Sequence, residues 1–201
     1  MPRIVDENEY VKELLDKRRP NEEECLAFYE HRIGCICKNP RLMLIPIDDH
    51  LVHRGDGVFE TMKMLKRRIY LLDAHLERLE KSCRGLDIRL PASREEIKAL
   101  ILEVIRAAKA EDALLSLYVG RGPGGFTTDF RECPESSLYI VARRMHHRPE
   151  SFWRDGVTVF KTSIPAKQGY LARIKTVDYL PNVLMKKEEN EKEYDFPLCF
   201  D

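Results

Sequence analysis

Gly55-Asp56-Gly57-Val58-Phe59-Glu60-Thr61-Met62-Lys63-Met64-Leu65 runs through Lys66-Arg67-Arg68 into Ile69-Tyr70-Leu71-Leu72-Asp73, and this stretch decides the fold. Val58 to Leu65 and Ile69 to Leu72 flank three consecutive cations, which predicts a hairpin with a solvated turn. Asp73 then offers a side-chain oxygen to cap a helix in which Leu76, Leu79, Cys83 and Leu86 recur at helical spacing, ending near Pro91. Ser93 and Glu96 form a capping box, and the helix they open carries Ile97, Leu100, Ile101, Val104, Ile105 and Ala108 on one face.

Downstream, Leu114 to Val119 and Leu138 to Val141 read as neighbouring strands joined by a loop that holds Gly120-Arg121-Gly122-Pro123-Gly124-Gly125. Upstream, a helix over Glu7 to Lys17 is expected, Asn21 with Glu24 resembles a capping box opening a short helix after Pro20, and Met43 to Ile47 reads as a buried strand end. Strands and helices mix without strict alternation, so the class is α+β. His146 to Glu150 has a breaker and no periodicity and marks a linker. Beyond it come a strand from Val157 to Phe160, a helix over Asp178 to Glu193 with Leu180, Val183 and Leu184 as its buried stripe, and a strand over Phe196 to Asp201. That last strand needs partners, so the second domain is expected to be cut short.

The 201 residues carry 34 Lys plus Arg against 34 Asp plus Glu, a formal net charge of zero. This balance leaves no electrostatic footprint for nucleic acid or an anionic membrane. The apolar share of 43% supports a packed core and excludes disorder. No run approaches the roughly 18 apolar residues of a membrane helix, and Met1-Pro2-Arg3-Ile4-Val5-Asp6 opens no signal region. The six cysteines are sparse and lack zinc-site spacing, so reduced thiols and a cytoplasmic location are expected.

Among chemistry-bearing residues, the Gly-rich loop lacks the Gly-Lys-Ser/Thr ending of a P-loop and reads better as a tight turn. His146-His147 has neither helical spacing nor an adjacent carboxylate for a metal. Lys175 lies between an extended segment and a helix start, where strand ends face clefts, although a surface lysine is the simpler reading. Arg78 lies roughly 120° from the centre of the Leu76/Leu79/Cys83/Leu86 stripe, on a solvated face or in a groove. Composition and periodicity stop at a soluble globular protein.

The order of motifs goes further. Gly55-Asp56-Gly57-Val58-Phe59-Glu60-Thr61, then His75-Leu76-Glu77-Arg78-Leu79, then Leu86-Asp87-Ile88 with Pro91, then Ile174-Lys175-Thr176 with Tyr179-Leu180 and Asn182, together resemble the fold-type IV pyridoxal-phosphate enzymes. These form the class IV aminotransferase family, with branched-chain and D-amino acid aminotransferases and aminodeoxychorismate lyase. The resemblance covers about residues 40 to 201. It implies an N-terminal helical extension over 1–38, a small α+β domain over 39–148, and a linker with a truncated start of the large cofactor-binding domain over 149–201.

By this resemblance the cofactor is pyridoxal 5′-phosphate, Lys175 is the Schiff-base lysine, and Arg78 anchors the phosphate with its planar fork. Phe59 and the 120–128 loop lie near the substrate, with Arg121 as a carboxylate contact. The implied activity is transfer of an amino group between an amino acid, branched-chain by preference, and a 2-oxo acid, in a homodimer. The alternatives are aminodeoxychorismate lyase or a non-catalytic truncated member. Phe126-Thr127-Thr128 stands where D-amino acid enzymes carry Arg-x-His, which disfavours that specificity, and Glu60-Thr61 replaces the Thr pair of the lyases. Asp49-His50 replaces a common Asp-Arg, and Asp178 a usual Asn. Family members run on past this point and there supply the glutamate that meets the pyridine nitrogen, so a fragment or a natural truncation is expected.

Overall fold

The computed structural model describes residues 2–200. Asp6 accepts a hydrogen bond from the Glu9 amide at 2.9 Å and caps helix α1 (Glu7–Asp16). Asn21 opens no α-helix: it is left-handed with φ 56°, its side chain caps nothing, and one 3-10 turn over Glu22–Glu24 runs directly into strand β1 (Cys25–Glu30). A hairpin joins β1 to β2 (Cys35–Cys37), and both strands belong to the main sheet. The expected helical extension over 1–38 is therefore corrected, because its second half is sheet. The reason is alternation along β1, which places Ala27 and Tyr29 in the core and turns Phe28 and Glu30 to the opposite face.

Met43 to Ile47, expected as a strand, has no regular structure. One helical turn, α2 (His50–His53), leads to β3 (Gly57–Leu65) and β4 (Arg68–Ile69), the predicted hairpin, with Lys66 and Arg67 at positive φ in its turn. Helix α3 (Leu72–Gly85) starts at a left-handed Leu71, not at an Asp73 cap; Asp73 pairs instead with Lys98 of α4 (Arg94–Ala108) at 2.7 Å. The Ser93/Glu96 capping box forms as predicted. Strands β5 (Ala113–Gly120) and β6 (Ser137–Arg143) complete a six-stranded sheet of order β2-β1-β6-β5-β3-β4, antiparallel throughout.

Helices α3 and α4 cover one face of this sheet. Leu76, Leu79, Cys83, Ile97, Ile101, Val104 and Ile105 meet Val58, Met62, Met64, Leu115, Leu117, Val119, Leu138 and Ile140, all buried. At about 25 cal/mol per Å² of apolar surface, this interface is the main stabilising element of the fold. Along β3 the alternation leaves Phe59, Thr61 and Lys63 on the other face and Glu60 in line with the buried Val58, Met62 and Met64.

Past β6, one turn α5 (Ser151–Arg154) precedes a crossover made of β7 (Val159–Lys161), α6 (Leu180–Lys192) and β8 (Phe196–Leu198), with β7 and β8 parallel. Antiparallel sheet and crossover together make the chain α+β. The expected stripe of α6 is not buried: Leu180 is 64% and Val183 62% exposed, and Glu189 is the buried residue of that helix. Among the described residues no helix is long and apolar enough to cross a membrane.

Candidate active site

The segment around Lys175 joins the sheet beside the start of β3, which β4 leaves unpaired. Val58 pairs antiparallel with Thr176, the Phe59 amide donates to the Lys175 carbonyl at 3.1 Å, and the Val177 amide to the Gly57 carbonyl at 2.9 Å. Lys175 thus stands opposite Phe59, on the same face. Ile174, buried against the core, seats the segment, and Gly85 at the end of α3 makes room for it: a Cβ there would lie 2.8 Å from Ile174 Cδ1. The Lys175 amide also donates to Ser82 Oγ at 3.3 Å, fixing the segment to α3.

The Lys175 side chain is held by aromatic groups. Its Nζ lies 4.2 Å from the centre of the Phe59 ring and donates to the Tyr179 hydroxyl at 3.0 Å. Phe59 stacks on Tyr118 at 5.9 Å and meets Tyr179 edge-on at 4.9 Å. Lys167 closes the far side by donating to Thr176 Oγ1 at 3.0 Å and to the Asp178 carbonyl at 2.6 Å.

Arg78 comes from α3. Its Nε and Nη2 fork onto the two oxygens of Glu60, each at 2.6 Å, and His75, one helical turn earlier, reaches Glu60 Oε2 through Nδ1 at 2.8 Å. Glu60 is 0% exposed. Burial alone raises its carboxyl pKa, but hydrogen bonds from Arg78 and His75 outweigh that and hold it below the ordinary glutamate value. The same pair raises the Arg78 pKa. The Arg78 side chain remains 54% exposed.

Lys175 and Arg78 line one cavity of about 370 Å³, shared with Lys167, Arg173, Tyr179 and Asn182. Four cations and no carboxylate face it among the described residues. Such a donor set suits an anion, and the volume suits a small cofactor.

Arg121 is not brought to this cavity. Its Nε and Nη2 fork onto Asp56 at 2.7 and 3.1 Å, and Nη1 and Nη2 donate to the Asp87 and Leu86 carbonyls at 2.8 Å each. It lines a separate cavity with His31, Arg89 and Cys133, and Asp56 of the Gly-Asp-Gly turn takes its fork. The Gly-rich loop is a close-approach turn, since at Gly122, with φ +104°, a Cβ would lie 1.8 Å from the Glu135 carbonyl oxygen. Sequence reasoning assigned no site role to Glu60, His75, Tyr179, Lys167 or Arg173. The signal for Glu60 was present, as a carboxylate on the buried parity of β3 demands a cation.

The family model for amino-transferase class IV matches residues 57–201. A D-amino-acid transaminase, chloroplastic, of Arabidopsis thaliana is 35% identical over 170 residues, covering 85% of this chain and 45% of the relative. A putative branched-chain-amino-acid aminotransferase of Methanocaldococcus jannaschii is 29% identical over 159 residues, covering 78% of this chain and 54% of the relative. The chain thus spans about half the length of these relatives. Among solved structures, the branched-chain aminotransferase of Thermoproteus uzoniensis with norvaline superposes with a TM-score of 0.77 at 18% identity, covering 88% of this chain and 60% of that one, which shows the fold.

Proposed function

Because the chain belongs to the class IV aminotransferase family, we propose that its cationic cavity is part of a pyridoxal 5′-phosphate site in an aminotransferase that moves an amino group between an amino acid and a 2-oxo acid. The observation that carries this reading is that Lys175 and Arg78 line one cavity of about 370 Å³ free of carboxylates among the described residues. Lys175 is the amine that holds the cofactor's aldehyde carbon, and once released it moves a proton at the substrate α-carbon. Tyr179 accepts from its Nζ and the Phe59 ring lies under it, so the amine rests in one orientation. Arg78 holds the phosphate. The bound cofactor supplies an electron sink for charge at the α-carbon.

The substrate is an amino acid with an apolar side chain, a reading supported by the Phe59 and Tyr118 stack beside Lys175. The preference against D-amino acids loses its ground, since a relative at 35% identity is named for them. A homodimer is supported by the family resemblance, and a cytoplasmic location by six free cysteines.

The test is borohydride reduction after addition of pyridoxal 5′-phosphate, followed by peptide mapping. The adduct is expected on Lys175 and absent in Lys175→Ala; an adduct on Lys167, which lines the same cavity, overturns the assignment. Assays with both enantiomers of apolar amino acids and a 2-oxo acid acceptor then read the substrate. Pyruvate released from aminodeoxychorismate without an acceptor would replace transfer with lyase chemistry.

A further inference from the structure

A buried carboxylate beside a cavity meant for a phosphate needs a reason, because it opposes the ligand's charge. Glu60 is 0% exposed and stands behind Arg78, taking its Nε and Nη2 at 2.6 Å each. A guanidinium has five N–H groups. The Glu60 fork uses one on Nε and one on Nη2, whose nitrogen also lies 3.5 Å from His75 Nδ1, and leaves Nη1 as the open corner. Among the described residues Nη1 donates to nothing, and Arg78 lines the cavity.

We infer that Glu60 is a positioning residue, which together with His75 locks the inner edge of Arg78 so that its outer edge is presented to a phosphate ester. The inference rests on the proposed role of Arg78 as the phosphate anchor. A half-exposed arginine would otherwise sample many rotamers, and ordering it before the ligand arrives removes that cost from binding. His75 Nδ1 at 2.8 Å holds Glu60 Oε2 from the same helix, so the carboxylate is fixed by two residues of α3. The loss of positive potential is tolerated because Lys167, Arg173 and Lys175 also line the cavity.

Three accounts of Glu60 differ in sign. As a positioning residue, its replacement weakens pyridoxal 5′-phosphate and leaves pyridoxal, which has no phosphate, unchanged. As an opposing charge only, its replacement strengthens the phosphate ligand. As a fold support only, its replacement weakens both ligands equally.

The experiment measures, for each ligand, the concentration that gives half-maximal borohydride-trapped adduct at Lys175, mapped by peptide. The ratio of the two is the phosphate preference. Glu60→Gln is expected to lower that preference roughly tenfold, Glu60→Asp to keep part of it, and Arg78→Ala to abolish it. A preference that is unchanged or raised in Glu60→Gln, while Arg78→Ala abolishes it, overturns the positioning role and leaves the anchor standing. An unchanged preference in Arg78→Ala overturns the anchor and the inference with it. Should Glu60→Gln fail to fold, His75→Ala decides: a preference lowered severalfold supports the inference, and an unchanged one overturns it.

Discussion

Arg78 and Arg121 begin from the same local chemistry and end in different tasks. Each forks onto a carboxylate with Nε and Nη2, Arg78 on Glu60 and Arg121 on Asp56. The Arg121 side chain is 13% exposed, its Nη2 donates also to the Leu86 carbonyl and its Nη1 to the Asp87 carbonyl, and its guanidinium lies 5.7 Å from the Phe130 ring. It ties the Gly-Asp-Gly turn to the segment after α3. Arg78 keeps an open edge on a cationic cavity. An arginine whose three nitrogens all donate within the fold is a staple, and one that leaves a nitrogen open can receive a ligand.

The largest effect that would break this contrast is in Arg121→Ala. It strips Asp56 and two backbone carbonyls of their donor and is expected to cost about 2–3 kcal/mol, read as a melting temperature lower by roughly 5–10 °C. Phosphate preference should not move, and a change there would mean that the two corners are one site. Next is Arg78→Lys, expected to lower phosphate preference about tenfold because a point charge cannot reproduce the fork, with stability reduced by only about 1 kcal/mol for so exposed a partner. Equal preference before and after would make Arg78 a second staple.

Acid sharpens the contrast further. Glu60 has its carboxyl held below the ordinary glutamate value, so its stabilising contribution is complete above about pH 4.3 and is lost as pH falls through the lower value in the folded protein. The stability difference between the parent and Glu60→Gln should therefore be constant from about pH 8 to about 5 and shrink below about 4 in urea titrations. A difference that stays constant below about pH 4 would mean that the Glu60 charge carries no stability. Smallest of all, Arg67→Lys in the exposed hairpin turn should leave stability within about 0.5 kcal/mol and phosphate preference unchanged.

Where both faces of an element are decided inside the sheet and its two helices, periodicity read from sequence meets its physical cause. The β3–β4 hairpin, the Ser93 cap and the stripes of α3 and α4 are legible because burial imposes the spacing. Elsewhere the same spacing has no partner: Leu180, Val183 and Leu184 repeat helically on α6 yet lie exposed. Asn21 and Glu24 match a cap pattern, but a left-handed backbone at Asn21 sends the chain into β1. Lys175 and Arg78 were legible only through motif order, because each alone is a common surface residue. The shared cavity is a tertiary fact with no one-dimensional signature. The partners of Arg121 were not legible, because a cation in a glycine loop says nothing about which acceptors it meets.

The strand pairing of Val58 with Thr176 also has a kinetic meaning. Glu60 and Arg78 are 18 positions apart in the chain, whereas the Lys175 amide and Ser82 are separated by 93. Closing the longer loop costs about 1.5 kcal/mol more in chain entropy, and contacts of that span form late. The Glu60–Arg78 corner is therefore expected to assemble ahead of the Lys175 segment. Amide hydrogen exchange in a refolding pulse would then protect Phe59 and Val177 after the interior of α3. A chain that folds in this order brings Lys175 into place only when Glu60 and Arg78 are already set.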